Sequence, residues 1–365
     1  MYGIGKALGS RQTGAVAALW GATFPMITLF AHRPLSEVLS SDFIMLGLFW
    51  IYQNLTDRKI FSAVLAGIYF GLSFILRFSS GLFFMPVLLF IWIKCDRRCF
   101  WGFAISLGSM LGAGGLLDYV TWGHFWHAPL QYFVVNFMQH KANSFGVAPW
   151  YWYIELLFFK HGVGQMAVGL ILLMFFIVGA FSGGFLFSLC GLYFAVFSLI
   201  AHKEERFLLP LFPLALILIS LGIDRLASWV RQGLGRRFLS LCFSIALAVL
   251  FFCATPGVMR QTIPDTLRQQ GMFLGMNFVG RQADARGVIY ADIGWHSGGY
   301  AYLHKNIPIF FGPAQAQRMA LAFHYPDQLK AYNYAIIEDP LTGLFKSHGW
   351  FEVARFGQAG VYKKI

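Results

Sequence analysis

One dense run of side chains in this sequence could perform acid–base and anion chemistry, and it lies between two long apolar stretches. The run reads His202-Lys203-Glu204-Glu205-Arg206-Phe207. Lysine and arginine can stabilise the charge that develops on a phosphate leaving group, while a carboxylate or histidine can move a proton. Each charge at membrane depth costs about 2.5–3.5 kcal/mol, so such a run is kept only where a cavity or an interface compensates it. The run therefore indicates a functional site facing water at a membrane surface.

The composition identifies the surroundings of that run. Hydrophobic residues make up 58% of the chain and charged residues 12%, and the mean hydropathy is +0.61, which excludes a soluble domain of this length. Segments long enough to cross the hydrocarbon core are predicted near 13–30, 38–53, 60–76, 81–93, 100–117, 162–181, 184–200, 208–222 and 238–255.

The basic residues orient these nine predicted spans. With a cytoplasmic amino terminus, the short loops near 58–59, 94–98 and 225–237 all place Lys and Arg on the cytoplasmic side. The net charge of +12 is therefore explained by membrane orientation, and no nucleic-acid partner is predicted. The same topology exports the segment 118–161, the 202–206 run and everything after about residue 256 to the lumenal or periplasmic side.

The end of the chain differs in kind from the rest. Short strand-like segments at 288–292, 334–338 and 361–364 alternate with turn residues, and a helix is predicted over 265–278. We therefore predict an all-α polytopic membrane domain over 1–255, with about nine transmembrane helices. A small extracytoplasmic α/β domain is predicted to follow over 256–365.

The exported segment 118–161 is rich in aromatic and polar residues. Those of interest as site-lining side chains are Trp122, Tyr132, Asn136, Trp150 and Tyr151. Trp and Tyr are enriched at membrane interfaces, so an interfacial belt is one interpretation. Aromatic faces also suit the CH faces of a carbohydrate, which is the other interpretation. Both remain open at this point.

Four further charged residues could belong to the site. Arg33 and Glu37 have the spacing of a structural salt bridge, although both could line the site. Arg77 separates two short spans. Asp118 lies where a span meets the exported segment, so it could contact an acceptor, act as a base or cap a helix. The cysteines indicate no disulfide framework, and no metal site is predicted.

The run and its continuation resemble the signature of glycosyltransferase family 22, the membrane mannosyltransferases of dolichol-linked oligosaccharide and glycosylphosphatidylinositol assembly. Residues 33–37 are similar to the Arg-Thr-Leu-Ser-Asn element of that family, and residues 77–80 to its Arg-Pro-Thr step. The other ordered matches are Asp118-Tyr119, Trp122-Gly123, Tyr132-Phe133-Val134-Val135-Asn136, Gly146-Val147-Ala148-Pro149-Trp150-Tyr151-Trp152-Tyr153 and His202-Lys203-Glu204-Glu205-Arg206-Phe207-Leu208-Leu209-Pro210-Leu211-Phe212-Pro213.

The resemblance implies a GT-C fold and a sugar donor carried on a polyprenyl phosphate, such as dolichyl phosphate mannose. It also implies an inverting transfer on the lumenal or periplasmic face. The acceptor would be a lipid-linked glycan or a similar glycolipid, and no cofactor beyond the donor is expected. The membrane would be the endoplasmic reticulum in a eukaryote and the inner membrane in a bacterium. The expected ligands of the donor phosphate are Arg206, Lys203, His202 and Arg77. Glu204 and Glu205 would pair with these cations or touch the acceptor.

On a helical register His202 and Arg206 would share one face, and Lys203 and Phe207 another. Members of the family ordinarily carry an acidic pair, including the catalytic Asp, in an earlier exported loop that this sequence lacks. A truncated start is therefore expected, which leaves the catalytic base unknown and Asp118 a weak candidate. A base supplied by another chain, an inactive scaffold subunit of a glycosylation complex, and a transporter or flippase of lipid-linked sugars remain alternatives.

Overall fold

The computed structural model describes residues 1–31, 35–157, 166–230, 270–291, 299–312 and 330–364, together with Met319 and isolated residues between 242 and 253. Contacts divide the chain into two compact units, Met1–Val258 and Met259–Ile365. The predicted spans 162–181 and 238–255 lie partly outside the described residues, as does the predicted helix 265–278.

The secondary structure described for the first unit is helical, and extended or irregular stretches connect its helices. In chain order they are α1 Tyr2–Leu8, α2 Arg11–Thr23, α3 Pro25–Ala31, α4 Ser36–Asp57, α5 Ile60–Leu76, a 3-10 helix Phe78–Phe83, α6 Phe84–Lys94, α7 Arg97–Trp122, α8 His127–Phe133, a π-helical turn Val134–Met138, a 3-10 helix Lys141–Phe145, α9 Trp152–Glu155, α10 Met166–Ala180, α11 Gly184–Leu199, a 3-10 helix Glu205–Leu208 and α12 Leu211–Val230.

Local sequence sets several of these helix boundaries. Ser10 and Thr13 form a reciprocal capping box at the start of α2. The predicted span 13–30 is broken because Pro25 lacks a backbone N–H and restricts Phe24 to an extended conformation, so α2 and α3 meet at 59°. The long helix α7 ends at Gly123, whose φ of 77° is a left-handed cap that glycine adopts without steric cost.

Two described helices are long and apolar enough to cross a membrane, α7 and the Leu211–Ser228 part of α12. The bent pair α2 and α3 makes a third if the two helices form one span. The other predicted spans correspond to shorter apolar helices or to helices of lower hydropathy. Nine spans therefore remain a prediction.

Glycines let neighbouring helices of the first unit approach closely. A Cβ on Gly67 of α5 would lie 2.0 Å from Ser106 Oγ of α7. A Cβ on Gly222 of α12 would lie 1.9 Å from the carbonyl oxygen of Phe175 in α10, and one on Gly179 would lie 1.8 Å from that of Leu218. Small residues at helix crossings are typical of membrane proteins, where close packing replaces the hydrophobic effect as the force between helices.

The second unit is a five-stranded mixed sheet. Its strands are β1 Val288–Ala291, β2 Ile309–Gly312, β3 Tyr334–Glu338, β4 Trp350–Phe356 and β5 Ala359–Lys364, in the order β2-β1-β3-β5-β4. The strand β1 runs parallel to β2 and β3, pairing Val288 with Ile309 and Tyr334, whereas β5 is antiparallel to β3 and β4. The strands predicted at 334–338 and 361–364 are confirmed, and the strand predicted at 288–292 is confirmed over its described residues Val288–Ala291. The strands β2 and β4 were not predicted.

Each face of this sheet has its own apolar core. On one face, Met272, Met276 and Val279 of a helix over residues 270–280 (α13) pack with Val288, Ile336 and Val361. On the other face, Leu341 and Phe345 of the helix Asp339–Ser347 (α15) pack with Ile289, Ile337 and Trp350. A short helix Gly299–Leu303 (α14) precedes β2. Neighbouring residues of β1 and β3 point to opposite faces of the sheet, and both faces carry an apolar core. Both strands are therefore buried along their length.

We expect Gly222→Ala to destabilise the protein, because the new methyl group collides with the backbone of α10. Overpacking of this kind costs about 1–3 kcal/mol. Thermal unfolding of the purified protein in detergent measures the loss. The matched control is Gly191→Ala in α11, where no atom lies within 4 Å of an added Cβ. An equal melting temperature for the two variants would contradict the proposed close crossing of α10 and α12.

Candidate active site

The candidate site lies at the end of α5 and the start of α4. The helix α5 stops at Leu76, and the next residue, Arg77, has extended backbone with its N–H bonded to the carbonyl of Ser73. Glu37 lies in the first turn of α4, where a carboxylate interacts favourably with the helix dipole. Ser40 of α4 donates to the carbonyl of Ser73 over 3.0 Å, which fixes the two helices against each other.

A single carboxylate oxygen joins two arginines. Glu37 Oε1 lies 3.1 Å from Arg77 Nη1 and 3.2 Å from Arg206 Nε. The second oxygen, Glu37 Oε2, accepts a hydrogen bond from the Ser36 hydroxyl over 3.0 Å. Glu37 is only 4% exposed, whereas the side chains of Arg77 and Arg206 are 19% and 36% exposed. The carboxylate thus sits beneath two guanidinium groups that keep contact with solvent.

The charged run does not adopt the α-helical register that was expected for it. Glu204 has extended backbone, with φ −134° and ψ 148°, and a 3-10 helix begins only at Glu205. Since extended residues alternate sides, His202 and Glu204 come together. His202 Nε2 lies 3.0 Å from Glu204 Oε1, and Arg206 Nη2 donates to the same oxygen over 3.0 Å. The expected helical pairing of faces is wrong for this segment, although His202 and Arg206 do meet through Glu204.

Lys203 points away from this pair of arginines. Its ammonium group is buried and donates to the carbonyl oxygens of Ser198, over 2.9 Å, and Ile200. These carbonyls stand at the end of α11, where a helix leaves acceptors without intrahelical partners and favours positive charge. Burial lowers the pKa of Lys203. Lys203 therefore caps α11, and we leave it out of the phosphate site for which the sequence suggested it.

Aromatic rings line the two guanidinium groups. The Arg77 guanidinium lies 4.9 Å from the ring centroid of Phe207, and that of Arg206 lies 5.9 Å from it, both within cation–π range. Tyr132 packs edge to face against Phe78, with ring centroids 5.7 Å apart. Because Phe78 directly follows Arg77 in the chain, this contact brings Tyr132 of the segment 118–161 close to the backbone that carries Arg77.

Hydrogen bonds from the segment 146–153 also hold the charged run in place. His202 Nδ1 lies 2.8 Å from the carbonyl oxygen of Gly146, and the Ala148 N–H donates to the carbonyl of Ala201 over 2.9 Å. The Tyr153 hydroxyl donates to the carbonyl of Glu204 over 3.3 Å, and its ring is fully buried. The segments 146–153 and 201–206, which the sequence suggested separately, therefore form one structure.

The ion pairs of the run shift its titration. Burial would raise the pKa of Glu204, but hydrogen bonds from Arg206 and His202 outweigh burial and hold that pKa below its ordinary value. Burial would lower the pKa of Arg206, yet the bonds to Glu204 and the charge of Glu37 raise it. At neutral pH Glu204 is therefore an ionised carboxylate beside the permanently charged Arg206 guanidinium group.

The other predicted site residues lie elsewhere or have other partners. Asp118 Oδ2 accepts the N–H of Ala128 over 2.9 Å, so it caps α8. Trp122 is 63% exposed and stacks on His127, with ring centroids 5.3 Å apart. The Asn136 side chain donates a hydrogen bond to the carbonyl of Tyr132, four residues earlier in the chain.

Four predicted residues remain. Trp150 is 63% exposed, and its ring meets that of Tyr151 at a centroid distance of 5.7 Å. Glu205 opens the 3-10 helix that carries Arg206. Arg33 lies outside the described residues.

Four contributors to the site were not named as site residues from the sequence: Ser36, Phe78, Gly146 and Tyr153. Each lies inside one of the matched motifs, which was the available signal. Their roles depend on backbone carbonyls and buried contacts that spacing does not reveal. Among the described residues, no group of three or more His, Cys, Asp or Glu side chains is placed to hold a metal ion.

Comparison with known proteins agrees with this geometry. Residues 3–291 match the family model described as the Alg9-like mannosyltransferase family. The chain belongs to that family. The match includes every residue of the arginine pair and of the charged run, and it extends into the second unit.

Individual relatives are distant. Mannosyltransferase APTG1 of Arabidopsis thaliana is 25% identical over 57% of this chain and 39% of its own length. GPI alpha-1,2-mannosyltransferase 3 of Bos taurus is 25% identical over 57% of this chain and 38% of its own length. The chain thus spans about two fifths of the length of these relatives.

Solved structures show the fold. The crystal structure of ArnT from Cupriavidus metallidurans bound to undecaprenyl phosphate superposes with a TM-score of 0.61 at 13% identity, covering 100% of this chain and 82% of that one. The apo structure of the same protein gives a TM-score of 0.60. The chain therefore has the fold of ArnT, a GT-C glycosyltransferase.

We expect Lys203→Ala to lower stability without weakening anion binding, since the lysine holds the end of α11 and not the arginine pair. Leaving two buried carbonyls without their donor costs about 1–3 kcal/mol. Thermal unfolding measures this cost, and binding of a polyprenyl phosphate to the folded fraction measures affinity. The control is Lys94→Ala, which removes an exposed lysine. Loss of affinity with unchanged stability would return Lys203 to the phosphate site.

Proposed function

We propose that this chain carries the donor-phosphate site of a membrane mannosyltransferase. The enzyme would move mannose, with inversion, from a polyprenyl phosphate such as dolichyl phosphate to a lipid-linked glycan or similar glycolipid. The reaction would take place on the lumenal or periplasmic face of a multi-pass protein. That face belongs to the endoplasmic reticulum membrane in a eukaryote and to the inner membrane in a bacterium.

The observation that carries this proposal is the shared carboxylate of Glu37. Its Oε1 lies within ion-pair distance of both the Arg77 and the Arg206 guanidinium groups, and each group has further N–H donors that can bind a ligand. A guanidinium fork matches two phosphate oxygens, and two forks fixed from below suit a phosphate in the membrane interface. The protein ArnT, whose fold the chain shares, was crystallised with undecaprenyl phosphate.

Such a site would contribute to catalysis through the leaving group. As the bond between the sugar and the phosphate oxygen breaks, negative charge grows on the phosphate. Fixed guanidinium groups stabilise this charge without having to reorganise during the reaction. The ring of Phe207, which lies within cation–π range of both groups, would exclude water from part of their surface and thereby strengthen the electrostatic interaction.

The residues that we propose to meet the acceptor are Tyr132 and His202. Tyr132 adjoins the arginine pair through Phe78 and is 37% exposed, so its ring is available to a sugar. His202 is held between Glu204 and the Gly146 carbonyl, which suits a positioning role. Asp118 is used as a helix cap, and we do not assign it the role of general base. We propose no cofactor other than the donor lipid.

We expect Arg206→Ala to weaken binding of a polyprenyl-phosphate mannose by at least about tenfold, because a charge-assisted hydrogen bond contributes roughly 1.5–3 kcal/mol. Arg206→Lys should weaken binding less, since it keeps the charge but loses the fork. Equilibrium binding to purified protein in lipid nanodiscs measures both. The control is Arg225→Ala, which removes an arginine that is bonded to Ser182 and lies on the predicted cytoplasmic side.

Near wild-type affinity in Arg206→Ala would reject the phosphate site. Binding alone does not establish transfer, so the same variants are assayed in membranes with labelled polyprenyl-phosphate mannose. The assay is run on this chain and on a version extended upstream to the next in-frame start. Retention of binding without transfer in both versions would favour the scaffold or transporter alternatives over an enzyme.

A further inference from the structure

The charges around the arginine pair are balanced within the described residues. Arg77 and Arg206 supply two positive charges, while Glu37 and Glu204 supply two negative charges in direct contact with them. His202 contacts Glu204, and Lys203 is turned toward the end of α11. A site for an anion would ordinarily gain from an excess of positive charge, so this balance requires a physical reason.

The two phosphate species of the proposed reaction differ in charge. The donor is a phosphodiester and carries one negative charge. The lipid product is a phosphate monoester, whose second ionisation has a pKa of about 6, so it carries about −1.5 to −2 at neutral pH. Two uncompensated guanidinium groups would therefore bind the product more tightly than the donor. Such a site would be blocked by its own product.

We propose that Glu37 and Glu204 are specificity-determining residues that keep the site from binding a doubly charged phosphate monoester more tightly than a singly charged phosphodiester. This inference rests on the proposed function. The carboxylates offset the positive charge that would otherwise reward the second negative charge, while the remaining N–H groups still bind phosphate oxygens. The product therefore gains no affinity from its extra charge and is released after transfer.

The geometry makes Glu37 the stronger of the two. Its Oε1 contacts both guanidinium groups, so any phosphate that reaches both of them lies close to this oxygen. It is 4% exposed and its Oε2 is held by the Ser36 hydroxyl, so it can neither swing away nor be screened well by water. Glu204 is 34% exposed and contacts Arg206 but not Arg77 in the described contacts. It therefore contributes less than Glu37 to the charge selection.

The test compares two ligands that differ by one charge: a polyprenyl phosphate and its methyl phosphodiester. Equilibrium binding to the full chain in nanodiscs at pH 8 is measured for wild type, Glu37→Gln and Glu204→Gln. Wild type is expected to bind the two ligands with similar affinity. In Glu37→Gln the monoester should gain about tenfold relative to the methyl diester, as expected for one unit charge at close range in a medium of intermediate dielectric constant. Glu204→Gln should shift the ratio in the same direction by a smaller factor.

The matched control is Asp42→Asn on the same helix, because Asp42 makes no ion pair with any residue that the structure describes. It should leave the ratio unchanged within about twofold. Equal changes for the two ligands in Glu37→Gln would overturn the inference and reduce Glu37 to a structural support of the arginines. If Glu37→Gln does not fold, as judged by gel filtration, an unchanged ratio in Glu204→Gln overturns it.

A different result would count against the proposed function itself. If wild type binds neither ligand, or if Arg206→Ala binds both as wild type does, the arginine pair does not hold a phosphate and the charge selection falls with it. Binding of both ligands that depends on Arg206, combined with a ratio insensitive to Glu37 and Glu204, would retain the phosphate site and reject only the selection.

Discussion

The site depends on one buried carboxylate that holds two arginines. Glu37 would be costly to bury alone, since an unpaired ionised group in a protein interior loses several kcal/mol of hydration. Arg77 and Arg206 remove that cost by pairing with the same oxygen, and each is thereby fixed in position. Three parts of the chain that are far apart in sequence therefore meet at one atom: the start of α4, the end of α5 and the loop after α11.

The surrounding structure serves this meeting point. The Ser40 hydroxyl ties α4 to the last turn of α5, and the Ser41 hydroxyl donates to the carbonyl of Leu209 over 3.4 Å beside the loop that carries Arg206. Glycines let α5 pack closely on α7, which brings α5 to the position where it ends at Arg77. The Lys203 ammonium group donates to carbonyls at the end of α11, where the chain turns into the extended segment. Helix packing and capping thus set the distance between the two guanidinium groups.

Much of this could be predicted from sequence, and the failures have physical causes. Apolar segments located the helices because length and hydropathy are local properties. Residues 202–206 stood out because charge is rare in such surroundings, and Arg77 stood out for the same reason. A helical register was assumed for that run, whereas tertiary contacts from Gly146, Ala148 and Tyr153 hold it extended. Spacing also suggested that Glu37 pairs with Arg33, which lies outside the described residues. A local pattern could not reveal the partners Arg77 and Arg206, which lie 40 and 169 positions away from Glu37 in the sequence.

The second unit shows the same division. The strands β1, β3 and β5 were found because their buried residues form continuous apolar runs. The strand β4 was missed because its exposed side chains, such as Glu352 and Val353, interrupt any simple alternation, and its register shifts between Glu352 and Ala354. The strand β2, with only Gly312 fully buried, carries a weaker signal still.

The most direct test of the central claim is an experimental structure of the protein with a polyprenyl-phosphate sugar bound. We predict phosphate oxygens within hydrogen-bond distance of both Arg77 and Arg206, with the Glu37 carboxylate still bridging the two guanidinium groups from below. A phosphate bound elsewhere, or one that contacts Arg206 only after its pairing with Glu37 has been broken, would contradict the account.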